Sequence, residues 1–281
     1  NQMYAYGDAA YAMYEKAPEN IQVIFPIKYG VIADLKSMKM LFEQFYKKMT
    51  GPRGSKMGRF CIAVPADITE VEKRAFYDVV AKSDIKAREI KIVEKPIADA
   101  VGLGIDMTSS RGNMIINIGA DTTEISVSLG GIVVSRIIKL GGNRLDQMIC
   151  DVVKRKYNIL IGLKTAEQIK KTLSDAMYDE DNEEEGDDIL YVYGRNVITG
   201  LPSERGVSKD TIYEAIKQFF DDITDSIKNL LERTPPELSA DIIDTGIFLT
   251  NAEDSVIRGI SIIMSDSRYR KLMYEPRESS F

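Results

Sequence analysis

The sequence predicts an α/β fold arranged in two lobes, and three observations lead to this prediction. Short apolar strands alternate with amphipathic helices along the chain, which is the pattern of α/β proteins. Units of three strands with helices occur twice, and the two halves meet near residue 110. The length of 281 residues is enough for one large domain or for two domains of ordinary size.

Capping residues and apolar spacing define the elements of the first half. Asp34 is a candidate N-cap for a helix with one apolar face, and Thr69 with Glu72 forms the capping-box pattern of the next helix. Pro96 favours the first turn of a short helix, where its missing N–H is not needed. In order, we predict a strand at 1–8, a helix at 9–16, a strand at 21–25, a helix at 34–48, a basic loop at 49–59, a strand at 60–65, a helix at 69–83, a strand at 89–93 and a helix at 96–102.

The second half begins with three strands and continues with helices. Gly141 and Gly142 break the chain before a helix, Ser208 is a candidate cap for a long helix, and two prolines end that helix at Pro236. In order, we predict a hairpin at 113–128, a strand at 132–138, helices at 143–157 and 165–176, an acidic solvated loop at 179–188, strands at 190–192 and 196–198, a helix at 210–232, a strand at 242–250 and a helix at 254–264.

The hairpin at 113–130 is the most informative segment. An apolar strand runs into the small-residue turn Gly119-Ala120-Asp121, two threonines follow, and a second alternating strand begins. Small residues let a phosphate chain approach backbone N–H groups closely, so this tip is a candidate phosphate-binding turn. The alternative remains open at this point, because glycine at a hairpin tip commonly serves only to make the turn.

Composition excludes several classes of function. The net charge of −6 argues against nonspecific nucleic-acid binding, and no apolar run is long enough to cross a membrane. The chain has no histidine, so Ser-His and Cys-His nucleophile pairs are excluded and a zinc site is disfavoured. Cys61 and Cys150 lie in apolar runs and read as buried free thiols. Catalysis would depend on carboxylates, Lys, Arg, hydroxyls, backbone dipoles or a metal ion, which suits phosphate chemistry.

A series of motifs resembles MreB, the bacterial actin family, in order and spacing over nearly the whole chain. The resemblance implies the actin/sugar-kinase/DnaK ATPase fold, with two lobes built on ribonuclease H-like repeats. It also implies ATP or ADP with Mg²⁺ in a cleft between the lobes, and subunits that form filaments. The matching segments are 25–34, 64–72, 94–100, 130–133, 165–170, 199–202, 234–238 and 241–250.

The same resemblance implies roles for individual residues at the phosphates. Gly119, Ala120, Asp121, Thr122 and Thr123 match the family's second phosphate loop, whose N–H groups and hydroxyls would hold the β- and γ-phosphates. In this loop Ala120 and Asp121 replace two glycines of the family pattern.

The resemblance also implies roles for residues around the metal-bound water, the attacking water and the nucleoside. Asn117 stands where the family has an aspartate, and a neutral amide holds metal-bound water less well than a carboxylate does. Glu94 matches the carboxylate that orients the attacking water, and its alternative reading is a favourable charge at a helix N-terminus. Gly141 and Gly142 match the turn near the nucleotide. Four residues match the family's helix that contacts adenosine, and their spacing places them on one helix face: Glu167, Lys170, Lys171 and Ser174. The alternative is that this face is simply exposed to solvent.

The resemblance also implies the lobe boundaries and two sequence gaps. The first lobe is expected at 1–112 with 252–281 returning to it, and the second at 113–251 with a small subdomain at about 165–230. The family's first phosphate loop is expected before Asn1 and its adenine loop between Thr250 and Asn251. Either the protein has lost both loops, or the segments that contain them are missing from the sequence shown. We expect the second, because one peptide step of about 3.8 Å cannot join a strand to a helix of the other lobe.

The function implied by the resemblance is that of an ATP-binding cytoskeletal filament for cell shape or intracellular organisation. Whether ATP is hydrolysed is left open, because Asn117 and Asp121 depart from the family pattern. The alternative is a non-hydrolysing adaptor on the same fold, and a sugar kinase has no supporting marker. Expected partners are the chain itself and proteins of the cell-wall machinery. We expect a cytoplasmic location, with attachment to a membrane surface through the basic loop 47–59 as a further expectation.

Overall fold

The computed structural model describes residues 3–14, 16–51, 57–174, 189–250 and 254–277. The chain divides into two compact units. Unit 1 comprises residues 1–115, 126–133 and 252–281, and unit 2 comprises residues 116–125 and 134–251. The lobe boundaries and the small subdomain expected from the sequence stay a prediction.

Helices and strands alternate through both units. In chain order they are α1 Asp8–Ala12, β1 Ile27–Lys28, β2 Val31–Ile32, α2 Leu35–Thr50, β3 Gly58–Val64, α3 Glu70–Ala81, β4 Ala87–Glu94, α4 Lys95–Gly102, β5 Asn113–Ile118, β6 Thr123–Ser128, β7 Ile132–Ile138, α5 Gly142–Tyr157, β8 Ile159–Leu160, α6 Leu163–Ser174, β9 Ile189–Asn196, β10 Pro202–Ser208, α7 Lys209–Leu231, α8 Pro236–Thr245, β11 Ile247–Thr250, α9 Ser255–Ser265 and a 3₁₀ helix Ser267–Leu272. Among the described residues, no helix has both the length and the apolar character needed to cross a bilayer.

The caps predicted in the first half are confirmed. Asp34 accepts hydrogen bonds from Ser37 N at 3.0 Å and from Ser37 Oγ at 2.6 Å, which starts α2. Thr69 and Glu72 form a reciprocal capping box at the start of α3. Each cap satisfies N–H groups that the first turn of a helix leaves without an intrahelical partner.

Strands β3 and β4 of unit 1 pair in parallel, with Ile62 opposite Ile92. Val64, Phe76 and Ile92 form a buried cluster beneath them, and Tyr274 packs against it. Beside this sheet, α4 and α9 cross in very close contact. An added Cβ at Gly259 would lie 1.7 Å from Ala98 O, so only glycine allows this approach.

The hairpin β5–β6 is buried on both faces and is part of a four-stranded sheet of order β11-β5-β6-β7. The remainder of unit 2 contains an antiparallel sheet of order β10-β9-β8 and the helices α5, α6 and α7. One apolar cluster joins these elements, with Ile149, Ile169 and Phe219 among its most buried members. This cluster fixes α5 and α6 side by side.

Several predicted elements are wrong. The described residues at 3–8 and 21–25 form no strand, and 9–16 is helical only to Ala12. Of the strand predicted at 196–198, only Asn196 is in a strand, as the end of β9; the next residues turn toward β10, because the Asn196 side chain accepts from the N–H groups of Ile198 and Thr199. The predicted strand at 242–250 is helical to Thr245 and becomes β11 only after Gly246, whose φ of 80° favours glycine.

Other predictions agree with the structure only in part. Ser208 precedes α7, as predicted, but its side chain makes no capping hydrogen bond and contacts the Thr211 hydroxyl instead. The basic loop begins later than expected, since α2 continues to Thr50. The acidic segment 179–188 and residues 251–253 lie outside the described residues. Cys61 and Cys150 are not joined in a disulfide and are of intermediate burial, less buried than predicted, and burial raises the pKa of Cys61 to about 11.

Candidate functional site

The tip between β5 and β6 is a tight turn built from backbone groups. Gly119 N donates to Thr122 O at 2.8 Å and closes the turn. An added Cβ at Gly119 would lie 3.1 Å from Thr122 O, a contact tighter than most side chains tolerate. Glycine at this position therefore has a steric reason within the protein itself.

The first turn of α5 packs directly against this tip. Gly142 N donates to Gly119 O at 3.0 Å, and Asn143 N donates to Ala120 O at 2.8 Å. A Cβ at Gly141 would lie 2.5 Å from Ala120 O and 2.6 Å from the backbone of the following residues. Gly141 is thus required by the contact between helix and hairpin, whatever ligand binds nearby.

This packing divides the backbone groups of the tip into two sets. The carbonyl groups of Gly119 and Ala120 accept from α5. Within the part of the chain that the structure describes, the N–H groups of Ala120, Asp121 and Thr122 donate to no protein acceptor. Three consecutive N–H groups without acceptors are an arrangement that binds anions.

The side chains of the tip differ in what they contact. Thr123 is fully buried, and its Oγ1 donates to Leu140 O at 2.6 Å. Asp121 Oδ1 accepts from Asn143 Nδ2 at 2.7 Å, so the unexpected carboxylate is held by the second residue of α5. Thr122 is partly exposed, and Asn117 is buried at the end of β5. Of the two threonines, only Thr122 has a hydroxyl proton that is not already donated to the backbone.

Helix α6 places its polar face beside the start of α5. Lys170 Nζ forms an ion pair with Asp146 Oδ1 at 2.7 Å and lies 3.4 Å from Gly142 O. Burial raises the pKa of Asp146, and the ammonium of Lys170 offsets part of that effect. Lys171 pairs with Glu167 on the same helix at 2.6 Å. Ser174 is the last residue of α6.

Gly142 differs from Gly141 in its surroundings. A Cβ at Gly142 would lie 3.5 Å from Lys170 Nζ and no nearer than 3.9 Å to the hairpin, which are ordinary contacts. No protein atom in the described ranges therefore requires glycine here. Gly142 is partly exposed, and without a side chain its backbone is a place that a ligand could approach closely.

Glu94 belongs to unit 1 and ends β4, where it also precedes α4 as the N-cap residue. Its side chain makes no capping hydrogen bond. Instead Tyr274 OH donates to Glu94 Oε1 at 2.5 Å, and Lys73 Nζ lies 3.7 Å from the same oxygen. The structure thus brings the hairpin tip, the Gly141-Gly142 turn and Lys170 of α6 together in unit 2, while Glu94 has its own set of partners in unit 1.

Four residues of these surroundings have no part in the sequence prediction: Asn143, Asp146, Lys73 and Tyr274. Asn143 directly follows the Gly-Gly break, which is a signal that sequence reasoning could have used. Asp146 interrupts the apolar face of α5 and is buried, so its position in the helical period was a second signal. Lys73 and Tyr274 reach Glu94 only through tertiary contacts, and no local pattern identifies them.

The described ranges contain no group of three His, Cys, Asp or Glu side chains that could hold a metal ion.

Comparison with protein families identifies the group to which this geometry belongs. The family described as MreB/Mbl protein matches residues 1–272. The chain belongs to the MreB/Mbl family. Within this family, the cell shape-determining protein Mbl of Bacillus cereus (strain ATCC 10987 / NRS 248) is 37% identical over 263 residues, which cover 93% of this chain and 77% of Mbl. The cell shape-determining protein MreB of Escherichia coli (strain K12) is 36% identical over 248 residues, which cover 88% of this chain and 70% of MreB.

Solved structures agree with the MreB/Mbl assignment and with the predicted actin-like, two-lobed α/β fold. MreB 5 of Spiroplasma citri bound to AMPPNP superposes with a TM-score of 0.84 at 31% identity, covering 96% of this chain and 87% of that chain. The MamK double helical filament superposes with a TM-score of 0.66 at 19% identity, covering 91% and 82% of the two chains, and it supports the fold alone.

Proposed function

We propose that this MreB/Mbl-family chain is an actin-like cytoskeletal protein of the cell-shape system, which binds ATP or ADP and assembles into filaments. Its relatives in Bacillus cereus and Escherichia coli are named cell shape-determining proteins. The similar MreB 5 of Spiroplasma citri has been solved with AMPPNP and with ADP. The observation in this chain that best supports nucleotide binding is the row of N–H groups at residues 120–122.

The proposed phosphate contacts follow from the geometry of the tip. The three N–H groups would donate to the β- and γ-phosphate oxygens, and the Thr122 hydroxyl would add a donor. Asp121 would be tolerated beside the phosphates because Asn143 holds its carboxylate. The space above Gly142 would admit the phosphate chain, and the polar face of α6 would lie beside the adenosine.

Mg²⁺ is part of this proposal as the cation that neutralises the triphosphate. Magnesium commonly keeps several waters and few protein ligands. The buried amide of Asn117 is the group that we assign to a metal-bound water, and we assign no direct protein ligand to the ion.

For hydrolysis we assign the water-orienting role to Glu94. In that reaction the water oxygen bonds to the γ-phosphorus, the bond from phosphorus to the bridging oxygen of ADP breaks, and phosphate is released. Glu94 would accept a hydrogen bond from the water and take up its proton. The alternative, a favourable charge at the N-terminus of α4, stays open, because Glu94 is the N-cap residue of that helix.

The proposed partner is a further copy of the chain, in head-to-tail contacts that do not close and so form filaments. We propose a cytoplasmic location on the strength of the family assignment. Membrane attachment through the basic end of α2, where Lys47 and Lys48 lie, remains a separate proposal. Pelleting with anionic liposomes at low and high salt would test it, and equal pelleting without liposomes would reject it.

Nucleotide binding and assembly can be tested on the purified protein. Titration with a fluorescent ADP analogue in the presence of Mg²⁺ should show saturable binding that unlabelled ATP displaces. Light scattering should rise after ATP is added, and phosphate release should follow. Absence of both binding and scattering at high protein concentration would reject the proposal.

The alternative of a non-hydrolysing adaptor is not favoured, because the similarity extends along the whole chain to cell shape-determining relatives. The variant Asn117→Asp addresses it directly. If the native protein hydrolyses ATP and this change leaves the rate within about twofold, the amide is compatible with turnover. A native rate at background, restored by the aspartate, would support the adaptor.

A further inference from the structure

The segment after the 3₁₀ helix is docked on β4 by backbone hydrogen bonds. Ile92 N donates to Tyr274 O at 2.8 Å, and Tyr274 N donates to Ile92 O at 3.0 Å, which is an antiparallel bridge. Next to this bridge, Lys91 precedes Ile92 and Glu275 follows Tyr274, and the Lys91 Nζ atom lies 2.9 Å from a Glu275 carboxylate oxygen. The bridge fixes the position of Tyr274 relative to the strand that ends in Glu94.

This register brings the Tyr274 side chain to the Glu94 carboxylate. Ile92 and Glu94 are two residues apart on β4 and so point to the same face. The Tyr274 side chain packs on the cluster that contains Ile92, on that face. A long side chain can reach its diagonal neighbour across a pair of strands. The Tyr274 hydroxyl does so and donates to Glu94 Oε1 at 2.5 Å.

Lys73 of α3 completes the environment of this carboxylate. Its ammonium lies 3.7 Å from Oε1, 3.3 Å from Glu70 Oε1 and 5.6 Å from the centre of the Tyr274 ring. Both contacts with Glu94 therefore fall on Oε1. Burial, together with the hydrogen bond to Glu94 and its negative charge, raises the pKa of Tyr274, so the hydroxyl stays protonated and remains a donor.

We propose that Tyr274 is a positioning residue for Glu94: by holding Oε1, it fixes the carboxylate plane so that Oε2 meets the attacking water. This inference rests on the proposed role of Glu94 in ATP hydrolysis. The terminal torsion of a glutamate has a broad energy minimum, so an unrestrained carboxylate would sample many orientations. A hydrogen bond to one carboxylate oxygen removes most of that rotational freedom. Small displacements of a catalytic group from its reacting position lower the reaction rate strongly.

The proposal connects the segment around Tyr274 to the hydrolysis rate. The hydroxyl can act only while the segment is docked on β4, since the bridge with Ile92 supplies its register. Release of the segment would therefore slow hydrolysis without removing any group that touches the nucleotide.

The test compares Tyr274→Phe, Glu94→Gln and Tyr269→Phe with the native protein. Tyr269 is a buried tyrosine of the preceding 3₁₀ helix, with Arg268 over its ring, and it serves as the matched control. Phosphate release, the nucleotide Kd and the free energy of urea unfolding are measured for each. We expect Tyr274→Phe to lower kcat about tenfold with the Kd unchanged, and Tyr269→Phe to retain the native kcat.

The split between turnover and binding separates positioning from a structural role. The Tyr274 hydroxyl contacts Glu94 and has no assigned contact with the nucleotide, so the loss of positioning should lower kcat and leave the nucleotide Kd near its native value. A structural role would instead lower the free energy of unfolding and change kcat and Kd together.

The outcomes distinguish the two levels of the proposal. If Glu94→Gln releases phosphate at the native rate, the assigned role of Glu94 is wrong, and the inference on Tyr274 falls with it. If Glu94→Gln is inactive while Tyr274→Phe keeps the native kcat, only the Tyr274 inference is overturned. A faster Tyr274→Phe would also overturn it, because the tyrosine would then restrain the carboxylate away from its water.

Discussion

The hairpin tip in unit 2 and the Glu94 cluster in unit 1 are constructed in different ways. The tip is held by backbone hydrogen bonds to the first turn of α5, and glycines make the contact close enough. Glu94 is held by side chains from α3 and from a segment 180 residues away in sequence. A site made of backbone groups tolerates most side-chain substitutions, but it does not tolerate replacement of a closely packed glycine. A site made of side chains can lose one hydroxyl group while the protein keeps its fold.

The largest effect is expected at the helix–hairpin contact. Gly141→Ala should lower the free energy of unfolding by about 3 kcal/mol or more, because its Cβ would overlap the backbone of residues 120–122. Gly142→Ala should change stability by less than about 1 kcal/mol, since only Lys170 Nζ lies near. Urea unfolding of both variants checks this. Equal losses would show that the two glycines have the same structural role.

The same pair of variants separates packing from ligand binding. Gly142→Ala should weaken ADP binding about tenfold, because the added methyl group would occupy space assigned to the phosphate chain. Titration with a fluorescent ADP analogue measures this. Unchanged affinity would remove Gly142 from the proposed site while leaving the role of Gly141 intact.

The next effect concerns the ion pair that joins α5 and α6. Lys170→Met should cost about 2–3 kcal/mol, because the buried Asp146 carboxylate would lose its neutralising partner. The double variant with Asp146→Leu should recover much of the loss. Denaturant unfolding of the single and double variants gives the coupling. Additive losses would contradict a direct pairing.

A smaller effect distinguishes the two threonines of the tip. Thr123→Val should lower stability by about 1–2 kcal/mol, because Leu140 O would lose a buried donor. Thr122→Val should leave stability within about 0.5 kcal/mol and weaken ADP binding several-fold. Thermal unfolding and nucleotide titration are the measurements. A reversed pattern would assign the phosphate contact to Thr123.

The smallest effect is expected at the edge of the Glu94 cluster. Glu275→Gln removes the partner of Lys91 in a pair that is largely solvent-exposed, and such pairs contribute about 0.5 kcal/mol or less. Unfolding and phosphate release should both remain near native values. A large drop in phosphate release would show that this pair, rather than the Tyr274–Ile92 bridge, docks the segment.

Prediction from the sequence succeeded where the signal was local. The capping box of α3, the cap at Asp34 and the hairpin at 113–128 were all predicted, because each depends on residues within a few positions of one another. It failed where a neighbour in space decides the outcome. The apolar stretch at 242–250 read as one strand, yet its first part is the end of α8, where tertiary packing buries Leu238 and Ile242 on one face of the helix.

The sequence by itself determined the family, through a series of motifs that match it in order, and it determined the order of most elements, because spacing and capping signals are local. Only the tertiary structure decided what each group is free to do. It shows that Thr123 is already bonded to Leu140 and that Gly141 is needed for packing. It also shows that Tyr274 reaches Glu94. The physical reason is that hydrogen bonds and steric exclusion act across space, between atoms whose distance along the chain carries no signal.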